Sequence, residues 1–271
     1  MRFHSLAAAA FAAAACACFA APEAIRAELT ARLQKQLPET MLSDYALGSA
    51  AFDPELRDQI NENAGANADV IAAGKAAWNA KFKNGRSLAG CFPNGGRRIA
   101  AVYPQYDPHL KRVITLEMAI NQCLKSHHQP LLEPGDAATM GPVVAYLRSL
   151  AVGQKIAVRV PAGAEDGFEL GRRLYFSRLG QRNFACASCH VQGAGKRYGD
   201  MAISPTIGQA THWPTIRDGK PVSLQARVRE CLEFMGAAPF PIGSEELNQL
   251  EYFITYLSNG LPVAASPWRP R

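Results

Sequence analysis

Cys186-Ala187-Ser188-Cys189-His190 is the stretch whose residue types and spacing most clearly do chemistry. Two thiols three positions apart can each form a thioether to a haem vinyl group, and the histidine that follows can ligate the iron from one face. A C-x-x-C pair alone also serves as a redox dithiol or as half of a zinc site. The directly following histidine, the apolar residues before the motif and the lack of a second C-x-x-C point instead to one covalently bound haem c. Cys186 and Cys189 are then the anchors and His190 is an iron ligand.

Two residues compete for the opposite face of that iron. Cys231 lies 41 positions after His190 and Met235 lies 45 after it. Methionine is neutral and raises the potential of the iron, whereas a thiolate is anionic and stabilises the ferric state. Cys231 sits in Arg227-Val-Arg229-Glu-Cys231. On a helix Arg227 falls one turn before it, where a cation can stabilise a thiolate or bind an anion. Arg229 is equally well read as a solvent-facing partner of Glu230 or Glu233. On chemistry alone both ligands remain open.

The elements that position these residues begin after an export signal. Residues 1–20 combine Arg2, an Ala-rich apolar run and small residues around Ala20, the composition of a secretory signal, with Cys16 a poorer match to a lipoprotein site. The run is too short to span a bilayer, and no later stretch reaches about 18 apolar residues. An exported chain without a membrane span, in a compartment where c-type haem is attached, is expected in the periplasm. Loss of the signal lowers the formal charge from +6 to +5. That mild basic excess has no lysine and arginine cluster of the kind nucleic acid requires, and better suits an acidic protein or an anionic substrate. Five of the seven cysteines remain, so at least one must stay unpaired.

Three landmarks recur in order along the mature chain. Gly74-Lys-Ala-Ala-Trp78 precedes Cys91 as Gly171-Arg-Arg-Leu-Tyr175 precedes Cys189, at Gly-to-Cys separations of 17 and 18. Ile120-Asn-Gln-Cys123-Leu matches Val228-Arg-Glu-Cys231-Leu, and Val143-x-x-Tyr146 matches Phe253-x-x-Tyr256. The pattern predicts a mainly α protein of two tandem cytochrome-c-like domains, residues 21–152 and 153–271, joined through 153–164. Helices are predicted from Asp166 to Phe176 and, with Ser244 as N-cap, along the apolar face of Leu247, Leu250, Ile254 and Leu257. The Gly/Pro-rich polar stretch from Gln192 to Pro221 reads as an irregular wrap around the haem. The first domain lacks C-x-x-C-H and is expected to be haem-free. Its Cys91 and Cys123 fall where the repeat places residues beside a haem, near enough to form a disulfide. His127 and His128 read as a surface turn beside Pro130 rather than as metal ligands.

The segment Gln225-Ala-Arg227-Val-Arg229-Glu-Cys231-Leu-Glu-Phe-Met235, with Pro239-Phe240, Gly243-Ser244-x-Glu246 and Ser258-Asn259-Gly260-Leu261-Pro262, closely resembles the SoxA subunit of the SoxAX cytochromes. The resemblance extends over both halves. It implies an L-cysteine S-thiosulfotransferase that joins thiosulfate to a cysteine of a SoxYZ-like carrier. It also implies Cys231, as thiolate or persulfide, as iron ligand and Arg227 as the active-site arginine. A SoxX-like c-type cytochrome would complete a heterodimer and relay electrons to a soluble cytochrome acceptor. Many family members carry a second haem in the N-terminal half; this sequence resembles the single-haem branch in which a disulfide replaces it. The rival readings are a plain electron carrier and a binding subunit with a structural haem. A cation beside the ligand is required by a thiosulfate site and not by a carrier.

Overall fold

The computed structural model describes residues 21–270. The expected export signal, with Cys16, lies outside the described residues. Helix α1, Pro22–Gln36, starts at a proline, whose missing N–H costs nothing in a first helical turn. A tight helical run, Leu42–Ala51, leads into α2, Pro54–Glu62, whose first turn is closed by Asp53 accepting from the Leu56 N–H at 3.0 Å. Then follow α3, Ala68–Asn79, a short hairpin of β1, Gln105–Asp107, and β2, Arg112–Ile114, and the helices α4, Leu116–Ser126, and α5, Met140–Ser149. An extended connection without helix covers 152–164.

The order then repeats. Helix α6, Glu165–Phe176, matches α3; its acidic Glu165 and Asp166 suit the positive end of the helix dipole. The haem motif follows on a π turn, Ser188–Gln192, and the wrap contains the hairpin of β3, Arg197–Tyr198, and β4, Met201–Ala202. A second hairpin pairs β5, Thr215–Arg217, with β6, Lys220–Val222. It leads into α7, Leu224–Phe234, as β1–β2 leads into α4. Both helices are capped by a hydroxyl that accepts a main-chain N–H, Thr115 from Met118 and Ser223 from Ala226. Cys123 and Cys231 each stand eighth in their helix. Last comes α8, Glu245–Leu257, capped by Ser244, with Leu247, Leu250, Phe253, Ile254 and Leu257 all buried.

Two close crossings of helices organise the core. A Cβ on Gly74 of α3 would lie 1.9 Å from the Pro142 carbonyl oxygen of α5, and one on Gly171 of α6 would lie 2.1 Å from that of Gln249 in α8. Only glycine lets the backbones meet so closely. Beside the first crossing Trp78 is buried, and beside the second Tyr175, four residues after each glycine. These contacts place Tyr146 opposite Phe253, since each presents its Cβ to the respective glycine. The third sequence landmark, which paired Tyr146 with Tyr256, is therefore displaced by three residues. A slip of nearly one helical turn keeps the same apolar face, so the pattern alone did not expose it.

The chain ends reach across the molecule. Helix α1 lies against the second half: Arg26 donates to the Asn259 carbonyl at 3.3 Å and Gln36 to that of Ala194 at 2.9 Å. Conversely, the Ser266 carbonyl accepts from Asn67 at 2.9 Å, and Arg269 donates to the Leu47 carbonyl at 3.3 Å. Among the described residues no helix is long and apolar enough to cross a membrane.

Candidate haem site

Cys189 and His190 are presented by the π turn, a wider coil that often marks a functional position in a helix, and Cys186 stands two residues before its start. Ala185 and Ala187 are buried behind it. His190 Nδ1 lies 2.8 Å from the Ser204 carbonyl oxygen and 3.2 Å from its hydroxyl. The main-chain N–H of Thr206 closes the same loop on the His190 carbonyl at 2.7 Å. With Nδ1–H donated to Ser204, the lone pair of Nε2 is left for a metal, the usual arrangement of an oriented ligand histidine. Burial pushes the imidazole down to about 4, with the Arg227 charge adding to the shift, so the ring is neutral and able to ligate.

Cys231 comes from α7 and shares this space. Its charge is felt by Cys186, and that of Cys189 is felt by Cys231. Tyr175, wholly buried, faces all three sulfurs and donates its hydroxyl proton to Gln209 at 2.8 Å. Burial pushes the Cys186 thiol up to about 12. This structure thus contains two anchoring thiols, a neutral imidazole with one nitrogen free, and a third sulfur converging from another helix. That donor set fits a covalently held haem with His190 and Cys231 as the residues able to hold its iron. Met235, the rival, is buried at the C-terminal cap of the same helix, one turn beyond Cys231.

The electrostatics around Cys231 differ from the simplest expectation. Burial raises its thiol, and Arg227 offsets that only in part. A cation at one helical turn does not by itself make a buried thiol into a thiolate; a haem iron held by this sulfur would supply the missing positive charge. The arginines are also arranged differently. Arg227 pairs with Glu230 at 3.0 Å, and Glu230 is held from the other side by Arg217 at 2.8 Å and 3.2 Å. Arg229 makes no ion pair among the described residues, and its Nε is buried without a hydrogen-bond partner. The bridge to Glu230 expected of Arg229 is thus made by Arg227 and Arg217. Arg217, on β5, and Ser204, in the wrap, carried no signal in the sequence, because both reach the site from segments with no helical period. The β3–β4 hairpin closes the rim. Its exposed Met201 receives Arg227 at 3.9 Å, and its exposed Tyr198 packs edge-on against Phe234, over which Arg182 lies at 4.3 Å.

On the other half, Cys91 and Cys123 are joined, with Cα atoms 6.0 Å apart. His127 caps α4 beside them, half buried and stacked on Phe82 with ring centres 5.4 Å apart, while His128 is exposed with φ 55°.

A mainly helical chain that bears C-x-x-C-H, with a third sulfur brought to it by a facing helix, is, by class, a c-type cytochrome. The model of the SoxA/TsdA cytochrome c domain matches residues 73–156 and 170–263, and the chain belongs to this family. It is 40% identical over 236 residues to the L-cysteine S-thiosulfotransferase subunit SoxA of Chlorobaculum tepidum, covering 84% of this chain and 81% of that one. To the protein of the same name from Allochromatium vinosum it is 34% identical over 254 residues, covering 90% and 89%. The crystal structure of SoxXA from P. pantotrophus superposes with a TM-score of 0.72 at 27% identity, covering 80% of this chain and 84% of that one.

Proposed function

We propose that this chain is the SoxA-type subunit of a thiosulfate-oxidising L-cysteine S-thiosulfotransferase, with one haem c held in residues 153–271 and a haem-free cytochrome-like domain in residues 21–152. The observation that carries the reading is Arg227 set one turn before Cys231 and facing both it and His190. An electron carrier has no use for a cation there, whereas an anionic sulfur substrate does. The relatives named as L-cysteine S-thiosulfotransferase subunits support the activity.

Overall, a carrier thiol and thiosulfate give a carrier Cys–S–S–SO3⁻ adduct, one proton and two electrons, with the new bond between the carrier sulfur and the outer sulfur of thiosulfate. When bound, the haem supplies a one-electron acceptor next to the reacting sulfur. Cys186 and Cys189 would anchor it, and His190 and Cys231 would hold its iron. Cys231, as thiolate or persulfide, would bond to the outer sulfur of thiosulfate as two electrons leave, and the carrier thiolate would then take the S–SO3⁻ group with the Cys231 sulfur as leaving group. Arg227 binds the sulfonate oxygens, with Glu230 and Arg217 fixing its direction until substrate arrives. Two electrons against a one-electron centre require a second redox partner, a SoxX-like c-type cytochrome; that the neighbouring structure is of SoxXA supports such a pairing. The sulfur carrier is SoxYZ-like, the final acceptor is a soluble cytochrome, and the compartment is the periplasm, reached through residues 1–20. The deciding experiment is turnover of thiosulfate with a carrier cysteine, with and without the haem partner. Adduct formation that depends on both is the expected result. Reduction of the haem by thiosulfate with no adduct would reduce the chain to an electron carrier.

A further inference from the structure

The corner around the Cys91–Cys123 disulfide holds more than a bridge. Cys123 and His127 stand four residues apart at the end of α4, so both point from one side of the helix. Cys91 comes to them from the tight turn Leu88–Cys91. The two sulfurs and a ring nitrogen of His127 all lie within 4.8 Å of one another. Ligands of a tetrahedral metal at about 2.0–2.3 Å stand roughly 3.3–3.8 Å apart, so opening the S–S bond by a small side-chain rotation gives the required spacing. His127 is also prepared for this: Phe82 stacks on its ring, and the Asn84 amide lies 3.1 Å from Nδ1. Cys91 is exposed, and both cysteines line an open cleft of about 600 Å³ with Ser126 and Gln122. A small dithiol can therefore reach the bridge, and water can fill a fourth position on a metal.

We propose that reduction of the Cys91–Cys123 disulfide converts this corner into a Cys2His site for a thiophilic divalent cation of the zinc class. The reductant is an external dithiol. Its two thiols are oxidised to a disulfide as Cys91–S–S–Cys123 becomes two thiols. The cation then displaces the two thiol protons and binds two thiolates and one neutral imidazole, with water completing the shell; the filled site has no net charge. The oxidised chain has no thiolates here and no such affinity. The haem-free half thus exchanges a covalent cross-link for a coordinate one.

The test uses the full, haem-loaded chain, reduced without air, freed of reductant and dialysed against zinc, with metal analysis and intact mass as readouts. One zinc per reduced chain is expected, with a mass gain equal to zinc less two protons, and none in the oxidised chain. His127→Ala, which leaves the disulfide intact for folding, should lose the zinc after reduction, and His127→Cys should restore it. Equal uptake by oxidised and reduced chains, no uptake on reduction, or uptake unchanged in His127→Ala would overturn the proposal.

Discussion

In the proposed reaction two side chains one helical turn apart, Arg227 and Cys231, divide the work. If Cys231 both ligates iron and takes the sulfur group, Cys231→Met should raise the potential and make the haem reducible by mild donors, because a neutral thioether replaces an anion. The same variant should form no carrier adduct. A redox titration and an adduct assay by mass check both, and adduct formation at the native rate would sink the assignment. Arg227→Ala should keep the haem, since none of its anchoring residues is touched. It should weaken thiosulfate binding by about 1.5–3 kcal/mol, the loss of a charge-assisted contact, measured by titration calorimetry. Glu230 stays paired with Arg217 in that variant, so no buried carboxylate is stranded. Cys186, Cys189 and His190 stand out in the sequence because covalent attachment demands both their type and their spacing, whereas spacing left Cys231 level with Met235 and only the family resemblance singled it out. Ser204 and Arg217 were not legible, because a carbonyl can come from any residue and an arginine at the end of a three-residue strand has no pattern to mark it.

The helices were legible where a cap and an apolar face coincide. Ser244 followed by Leu247, Leu250, Ile254 and Leu257 predicted α8 nearly to the residue. The stretch from Gln192 to Pro221 was read as irregular, and it contains two short hairpins. Strands of two or three residues are too brief for alternation to show. The paired crossings of α3 with α5 and of α6 with α8 offer a sharper test of why the glycines recur. Gly171→Ala forces a methyl against the Gln249 carbonyl oxygen and should cost about 1–3 kcal/mol, read as a lower denaturant midpoint. Gly65→Ala meets no atom within 4 Å and has no positive φ, so it should shift stability by no more than about 0.5 kcal/mol. Equal effects of the two would mean that the helices can separate without loss.

Between the halves, Glu117 of α4 and Glu251 of α8 face a cavity of about 60 Å³ with Arg148, room enough for water. Burial and the Glu117 charge raise the Glu251 carboxyl to about 8, while Gln225 and Arg148 pull the other way; burial raises Glu117 also. The folded chain therefore holds a proton that the unfolded chain releases near 4.5. Stability from this proton is full below about pH 4.5 and declines as pH rises through about 8. Glu251→Gln should flatten that decline in thermal midpoints measured from about pH 5 to 9, and an unchanged slope would place its origin elsewhere. The reach of the chain ends has a consequence of its own. Helix α1 is fastened to the Asn259 and Ala194 carbonyls, and the final residues are fastened to Asn67 and Leu47. Each half is thus clasped by a strap belonging to the other. A protease nick in the extended connection 152–164 should give two bands on a denaturing gel and a single undivided particle on a sizing column. The molecule behaves as a buckle: cutting the link leaves it shut, and it opens only when both straps are released together.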